Sequence, residues 1–186
     1  FGFNSVLNHK INEDVILSAG FSASIYKSEN FQVVNDLLGA DYWLNINQLA
    51  ARGLSTSVDD ALQNDINDPN RVIKEGEKFG YDYDIHINTY SSFIQVEGSM
   101  AKLDYYGGVS LSRSSTWREG NVENGLFMEE SIGKSEKIIN INPGFKGGAV
   151  YKITGRHLVA ANAALLTRTP QTRNLFLSAR TRNQQN

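Results

Sequence analysis

The chain has three histidines, His9, His86 and His157, and no cysteine. The lack of thiols excludes disulfide scaffolds, thiol catalysis and zinc–thiolate sites. A zinc site built on imidazole needs ligands that converge within bonding distance, usually with a close local pair. These histidines are scattered along the chain and read as strand-surface residues. Gly133-Lys134-Ser135 has the end of a phosphate-binding loop, but Met128 stands where that motif wants its first glycine. It reads as a polar loop. Asp65-Ile66-Asn67-Asp68-Pro69-Asn70 is similar to the start of a calcium loop but lacks the central glycine, and Gly76 occupies the place of the bidentate glutamate. An Asx-rich turn accounts for the same residues. Glu129-Glu130, Asp59-Asp60 and the Asp82/Asp84 pair have the type for general acid–base work, yet no second partner is in view, and they read as solvated charge. Nothing resembles a nucleophile elbow. The expectation is no catalytic residue, no metal site and no cofactor: a protein that is not an enzyme.

The aromatic residues say more. Tyr26, Phe79, Tyr81, Tyr83, Trp117 and the pair Tyr42-Trp43 gather near the same ends of the expected strands. Amphipathic rings favour a membrane–water interface, where they form a girdle. In loops the same rings are platforms on which sugars or chelates stack. Trp43, deep in a long loop with Tyr42 and Arg52, fits the platform; Trp117, beside Arg118, fits either role. The candidate ligand-binding residues are therefore Tyr42, Trp43, Arg52, Trp117 and Arg118.

The elements that must hold these residues are strands. From Val15 to Lys27, Val15, Leu17, Ala19, Phe21, Ala23 and Ile25 alternate with Ile16, Ser18, Gly20, Ser22, Ser24 and Tyr26. One face is apolar and the other mostly small and polar, as a strand between two different solvents requires. Leu103, Tyr105, Val109 and Leu111 repeat the pattern against Asp104, Tyr106, Gly108, Ser110, Ser112 and Ser114. Ile139, Ile141, Phe145, Ala149, Tyr151 and Ile153 repeat it against Asn140, Asn142, Gly144 and Lys152. Phe79 to Ile87 opens another strand, whose phase shifts near Tyr90 as at a bulge. The first segment, Phe1 to Ile11, and the last, where Leu158, Ala164 and Leu166 blur the polar face, alternate less cleanly. Six strands are predicted, over 1–11, 14–27, 79–98, 102–116, 137–153 and 157–169.

Tight joints at Asn12-Glu13-Asp14, Ser99-Met100-Ala101-Lys102 and Thr154-Gly155-Arg156 alternate with long ones, Ser28 to Lys78 and Trp117 to Glu136, and a third long segment begins at Pro170. An up-and-down sheet sorts its connections this way when one end is cramped and the other open, as in outer-membrane barrels. The expected fold is all-β: an antiparallel up-and-down transmembrane β-barrel segment of about six strands, with short turns at one end and long loops at the other. A soluble β-sandwich binding carbohydrate would also alternate, with its apolar faces packed together rather than facing outward. In the long loop, Tyr42 to Ala51 suits a short helix closed at Gly53, and Ser57-Val58-Asp59-Asp60 a capped turn through Leu62.

Composition fits. In 186 residues, 40% apolar and 20% charged describe an ordered chain, and 18 Lys+Arg against 20 Asp+Glu leave a net charge of −2, with no basic field for nucleic acid. No apolar run is long enough for a transmembrane helix. Opening on Phe1 with no signal peptide, the chain is expected to be a mature product or a piece of a longer protein.

Several words of sequence resemble the TonB-dependent outer-membrane receptor family: Asp36-Leu-Leu-Gly-Ala-Asp-Tyr-Trp43, Asn67-Asp-Pro-Asn-Arg71, Lys78-Phe-Gly-Tyr-Asp-Tyr-Asp84 and Trp117-Arg-Glu-Gly120. Gly133-Lys-Ser-Glu-Lys137, Gly155-Arg-His157, Arg168-Thr-Pro170 and Arg180-Thr-Arg-Asn183 extend the likeness over essentially the whole chain. It points to the middle of the barrel in the type that carries an N-terminal carboxypeptidase-like regulatory module. The resemblance implies a Gram-negative cell outer membrane, a signal peptide in the precursor, and a barrel of about 22 strands around a plug. It also implies a TonB box contacting the energy-transducing complex, with box, plug and closing strand outside these residues. The implied function is capture and active import of a scarce nutrient; a passive porin-like barrel is the alternative. Iron chelates, cobalamin and glycans all suit as ligand, and a surface lipoprotein capping the loops is admitted.

Overall fold

The structure is a computed structural model that describes residues 1–48, 50 and 59–186. In chain order the strands are β1 (Gly2–Lys10), β2 (Val15–Val33), β3 (Trp43–Leu44), β4 (Val72–Ile73) and β5 (Lys78–Ser99). There follow β6 (Leu103–Gly120), β7 (Gly133–Lys134), β8 (Ile138–Thr154) and β9 (His157–Leu166). The fold is all-β, with one antiparallel sheet of seven strands. Its order β1-β2-β5-β6-β8-β9 follows the chain, with β7 alongside β6, while β3 and β4 form a separate ribbon. The expected up-and-down arrangement of about six long strands is therefore present. The path has two ends, β1 and β9, so the sheet is not closed.

Register explains the alternation. Pairing of Phe3 with Ala23, Ser5 with Phe21 and Leu7 with Ala19 puts the odd residues of β1 and β2 on one face, where the Phe3 and Phe21 rings lie 6.5 Å apart. The even face carries Asn8 and Ser18, whose Oγ donates to Asn8 Oδ1 at 2.8 Å. In the β8–β9 hairpin, Phe145 faces Leu165 and Tyr151 faces Val159 on one side, and Gly148 faces Asn162 on the other. That register slips between Lys152 and Thr154, just before the turn. The phase change expected near Tyr90 falls inside β5, which runs unbroken from Lys78 to Ser99.

The chain divides into two compact units, to which the long strands contribute different portions. The first comprises 1–26, 87–115 and 139–169. No apolar side chain in it is buried. Phe21, Ile25, Val109, Leu111, Ile141 and Phe145, all expected to share the apolar phase, are exposed, Ile141 to 64%. Its buried side chains are polar: Ser114, Ser115 and Asn142. Ser114 Oγ and Asn142 Nδ2 both meet Thr169 Oγ1, at 2.7 and 2.8 Å. Lys152 pairs with Asp104 at 2.7 Å.

The second unit comprises 27–86, 116–138 and 170–186. Here an ordinary core exists: Val34, Ala50, Ile73, Ile85, Leu175 and Phe176 are buried. Several expectations need correction in this unit. β2 continues past residue 27 to Val33, and β6 past 116 to Gly120. Both extensions are polar enough to read as loop, but sheet pairing satisfies the backbone whatever the side chains, and pairs across the sheet satisfy the charges: Lys27 bridges Asp84 at 2.9 Å. The long connection is thus 34–77 rather than 28–78. In the first unit, β9 stops at Leu166, short of 169.

The helix expected from Tyr42 does not start there. Trp43 and Leu44 are extended and pair with Ile73 and Val72. Helical residues begin at Gln48, and the Ala50 N–H donates to Asn47 Oδ1 at 3.2 Å, so that Asn47 is the N-cap. The expected end at Gly53 and the capping Ser57 lie outside the described residues. The turn through Leu62 is present as a 3-10 helix, Asp59–Leu62.

Candidate functional site

Arg118 is the most deeply buried charged side chain among the described residues. It sits on the extension of β6 and is 1% exposed. Its Nε donates to the carbonyl of Ala179 at 2.6 Å, and Nη1 donates to the Ser131 carbonyl and to Asn183 Oδ1, both at 2.7 Å. Its guanidinium lies 5.1 Å from the centre of the Tyr83 ring. Burial pulls the guanidinium down to about 10, so it keeps its charge at neutral pH, and burial likewise raises the Tyr83 hydroxyl. The acceptors are all neutral, and no carboxylate among the described residues pairs with Arg118.

Two local features allow this arrangement. Gly120 leaves room for the Ser131 carbonyl: a Cβ there would collide with that oxygen and press on Arg118 Nη1. A helical turn, Met128–Ser131, brings the carbonyl round, and Ser131 Oγ accepts the Asn124 N–H at 2.8 Å. At the start of β5, Gly80 takes φ +73 and gives its N–H to Asn45 Oδ1 at 2.8 Å. That ties the strand to the segment carrying Trp43.

Arg118 lines a cavity of about 320 Å³. Trp43, Phe79 and Tyr81 supply rings to it, Gln32, Asn64 and Asn124 supply amides, and Arg180 supplies a second cation. Arg180 is exposed and stands 5.3 Å from the Tyr81 ring centre. The described lining contains neither Asp nor Glu. Positive charge, amide groups and partly exposed rings suit a polar ligand with an apolar face.

The five residues singled out from sequence fare differently. Trp43, 40% exposed, and Arg118 meet in this cavity. Tyr42 lines a neighbouring shallow depression with Trp43. Trp117 is elsewhere: it stacks flat on His86 at 4.7 Å, with Lys137 4.7 Å above its ring. Arg52 lies outside the described residues. Arg180, Phe79 and Tyr81 are lining residues that pattern reading missed or assigned to a girdle. The available signal for Arg180 was a tail, 171–186, that holds arginines and no acid.

The other suspected chemistries are absorbed locally. Gly133-Lys134 is the short strand β7, paired with Glu119-Gly120. The Asp65 carboxylate accepts the Asn67 N–H at 3.1 Å, an Asx turn, and Asp68 lies 3.8 Å from Arg71. Asp82 pairs with Lys78 at 2.8 Å. His86 Nε2 is 3.3 Å from Glu119. Among the described residues no group of three or more acids and histidines gathers as a metal site would. Compared with protein-family models, with curated proteins and with solved structures, the chain matches none of them.

Proposed function

We propose that this chain is a section of an outer-membrane transporter that captures a scarce nutrient and imports it with energy supplied through the TonB complex. The observation that carries the membrane part is the first unit: apolar residues alternate on exposed faces, and none is buried. A water-soluble sandwich draws its stability from packing such faces together. A lipid-facing sheet leaves them outward and keeps its hydrogen-bonding side chains on the other face. The long strands also exceed the roughly 9–11 residues that cross the hydrocarbon core: β2 has 19 and β5 has 22. We assign the first unit to lipid and the second, with its own core and cavity, to water.

Dependence on TonB rests on the resemblance of the sequence words, and the contact with that complex belongs to a region outside these residues. The protein's work is binding and release rather than catalysis, its partners being outer-membrane lipid, a nutrient and, where one is present, a surface lipoprotein; nucleic acid is not among them. The test uses cells carrying the intact protein. Nutrient should bind the surface and accumulate inside, and deletion of the TonB complex should abolish accumulation while surface binding persists. Accumulation that continues without the complex would return the reading to a passive pore.

A further inference from the structure

We propose that the cavity beside Arg118 takes a carboxylate-bearing saccharide unit, a uronic acid. This deepens the capture reading and rests on it for the site's role. The charge balance of the cavity comes first. Arg118 is buried with neutral acceptors only, Arg180 stands at the same cavity, and the described lining has no acid. A buried cation without a counter-charge is unfavourable, and an entering carboxylate offsets that cost. The planar guanidinium of Arg180 can meet a carboxylate through two parallel N–H donors.

The remaining lining selects among anions. Gln32, Asn64 and Asn124 bring carboxamides to the lining; Asn64 Nδ2 also donates to Asn45 Oδ1 and Asn124 Oδ1 accepts the Leu126 N–H, and the remaining amide N–H and C=O groups can serve ring hydroxyls. Inorganic phosphate or acetate would leave the Trp43 ring unused; a pyranose covers an aromatic face with its C–H groups. At about 320 Å³ the cavity is near the small end of the roughly 300–1,000 Å³ range of ligand sites, which suits one or two sugar rings. The contrasting concavity of the first unit, about 570 Å³, is lined by Glu13, Asp14, Glu97 and Asp104 and has the wrong sign for an anion.

The experiment titrates the intact protein in detergent with glucuronate, its methyl ester, glucose and acetate, read by calorimetry. Glucuronate should bind roughly tenfold or more tightly than glucose or the ester, the factor carried by one charge-assisted hydrogen bond. Arg180→Gln should remove most of that preference, and Arg180→Lys should restore part of it. Trp43→Ala should weaken glucuronate and glucose together. Arg118→Ala is avoided, because it strips partners from buried carbonyls. Should Arg180→Gln not assemble, the ester comparison on the unmodified protein asks the same question. Equal affinity for glucuronate, ester and glucose, or a preference untouched by Arg180→Gln, would overturn the proposal. No glucuronate binding in a protein that imports by way of TonB sinks the proposal and leaves the transporter. Selective glucuronate binding in a protein whose uptake ignores TonB supports the proposal and sinks the transporter.

Discussion

The two units bury opposite kinds of side chain with portions of the same strands. In the first, 1–26, 87–115 and 139–169, apolar side chains are outside and the buried groups are Ser114, Ser115 and Asn142. In the second, Ile73 and Phe176 are almost fully buried and a charged Arg118 is enclosed among carbonyls. β6 alone passes from exposed Val109 and Leu111 to buried Thr116 and Arg118. Alternation of side chains therefore specifies two faces without saying which of them is dry. What decides is the material opposite each face, and along one strand that material changes.

Mutations can break this comparison or sharpen it. The largest effect is expected in the second unit's core: Phe176→Ala should cost roughly 3–5 kcal/mol in denaturant unfolding, as a large buried ring leaves a cavity. Phe145→Ala, where the residue is 52% exposed, should cost under about 1 kcal/mol, because only its cross-strand neighbours such as Leu165 cover it and no enclosed cavity is left. Equal costs would erase the distinction between the units. Next comes Ala19→Arg on the apolar face of β2, expected to cost roughly 2–4 kcal/mol if it sits at the bilayer midplane, with Ser22→Arg on the polar face costing little. Folding into lipid vesicles, followed by heat-modifiable migration, measures both, and matching penalties would refute the assigned faces.

Gly120→Ala should cost roughly 1–3 kcal/mol by forcing the Ser131 carbonyl off Arg118. The check is whether unfolding shifts while lipid insertion of the first unit does not. The smallest change in stability is expected for Trp43→Ala, under about 1 kcal/mol for a partly exposed ring on the two-residue ribbon strand β3. Its effect should instead fall on ligand affinity, weakened by roughly 1–3 kcal/mol where the ring anchors the ligand. Unchanged affinity in an assembled protein would remove Trp43 from the site.

The sheet was legible in the sequence where period-2 alternation was clean, as from Val15 to Ile25 and from Ile139 to Ile153, and where tight turns set the joints. It was less legible where strands carry polar residues on both faces: Ser28 to Gln32 and Trp117 to Gly120 look like loops, yet their ladders and the Lys27–Asp84 pair hold them extended. The helix expected at Tyr42 was misplaced because Trp43 and Leu44 fit a ribbon with Val72 and Ile73, a partner distant in sequence. Arg118 and Trp43 stood out by type, whereas Arg180 did not. Its place in the cavity depends on where a tail without repeating pattern comes to rest, and no local rule encodes that.

The alternation of tight and long connections also has a kinetic meaning. The hairpins β1–β2, β5–β6 and β8–β9 close through the turns 11–14, 100–102 and 155–156, and such units form on their own within roughly 1–10 μs. Pairing β2 with β5 must instead draw together the ends of the connection 34–77. Loop-closure entropy grows only logarithmically, about 0.6 kcal/mol for each doubling of length. That segment can accept insertions at small thermodynamic expense, whereas the hairpin turns cannot lengthen without loosening their register.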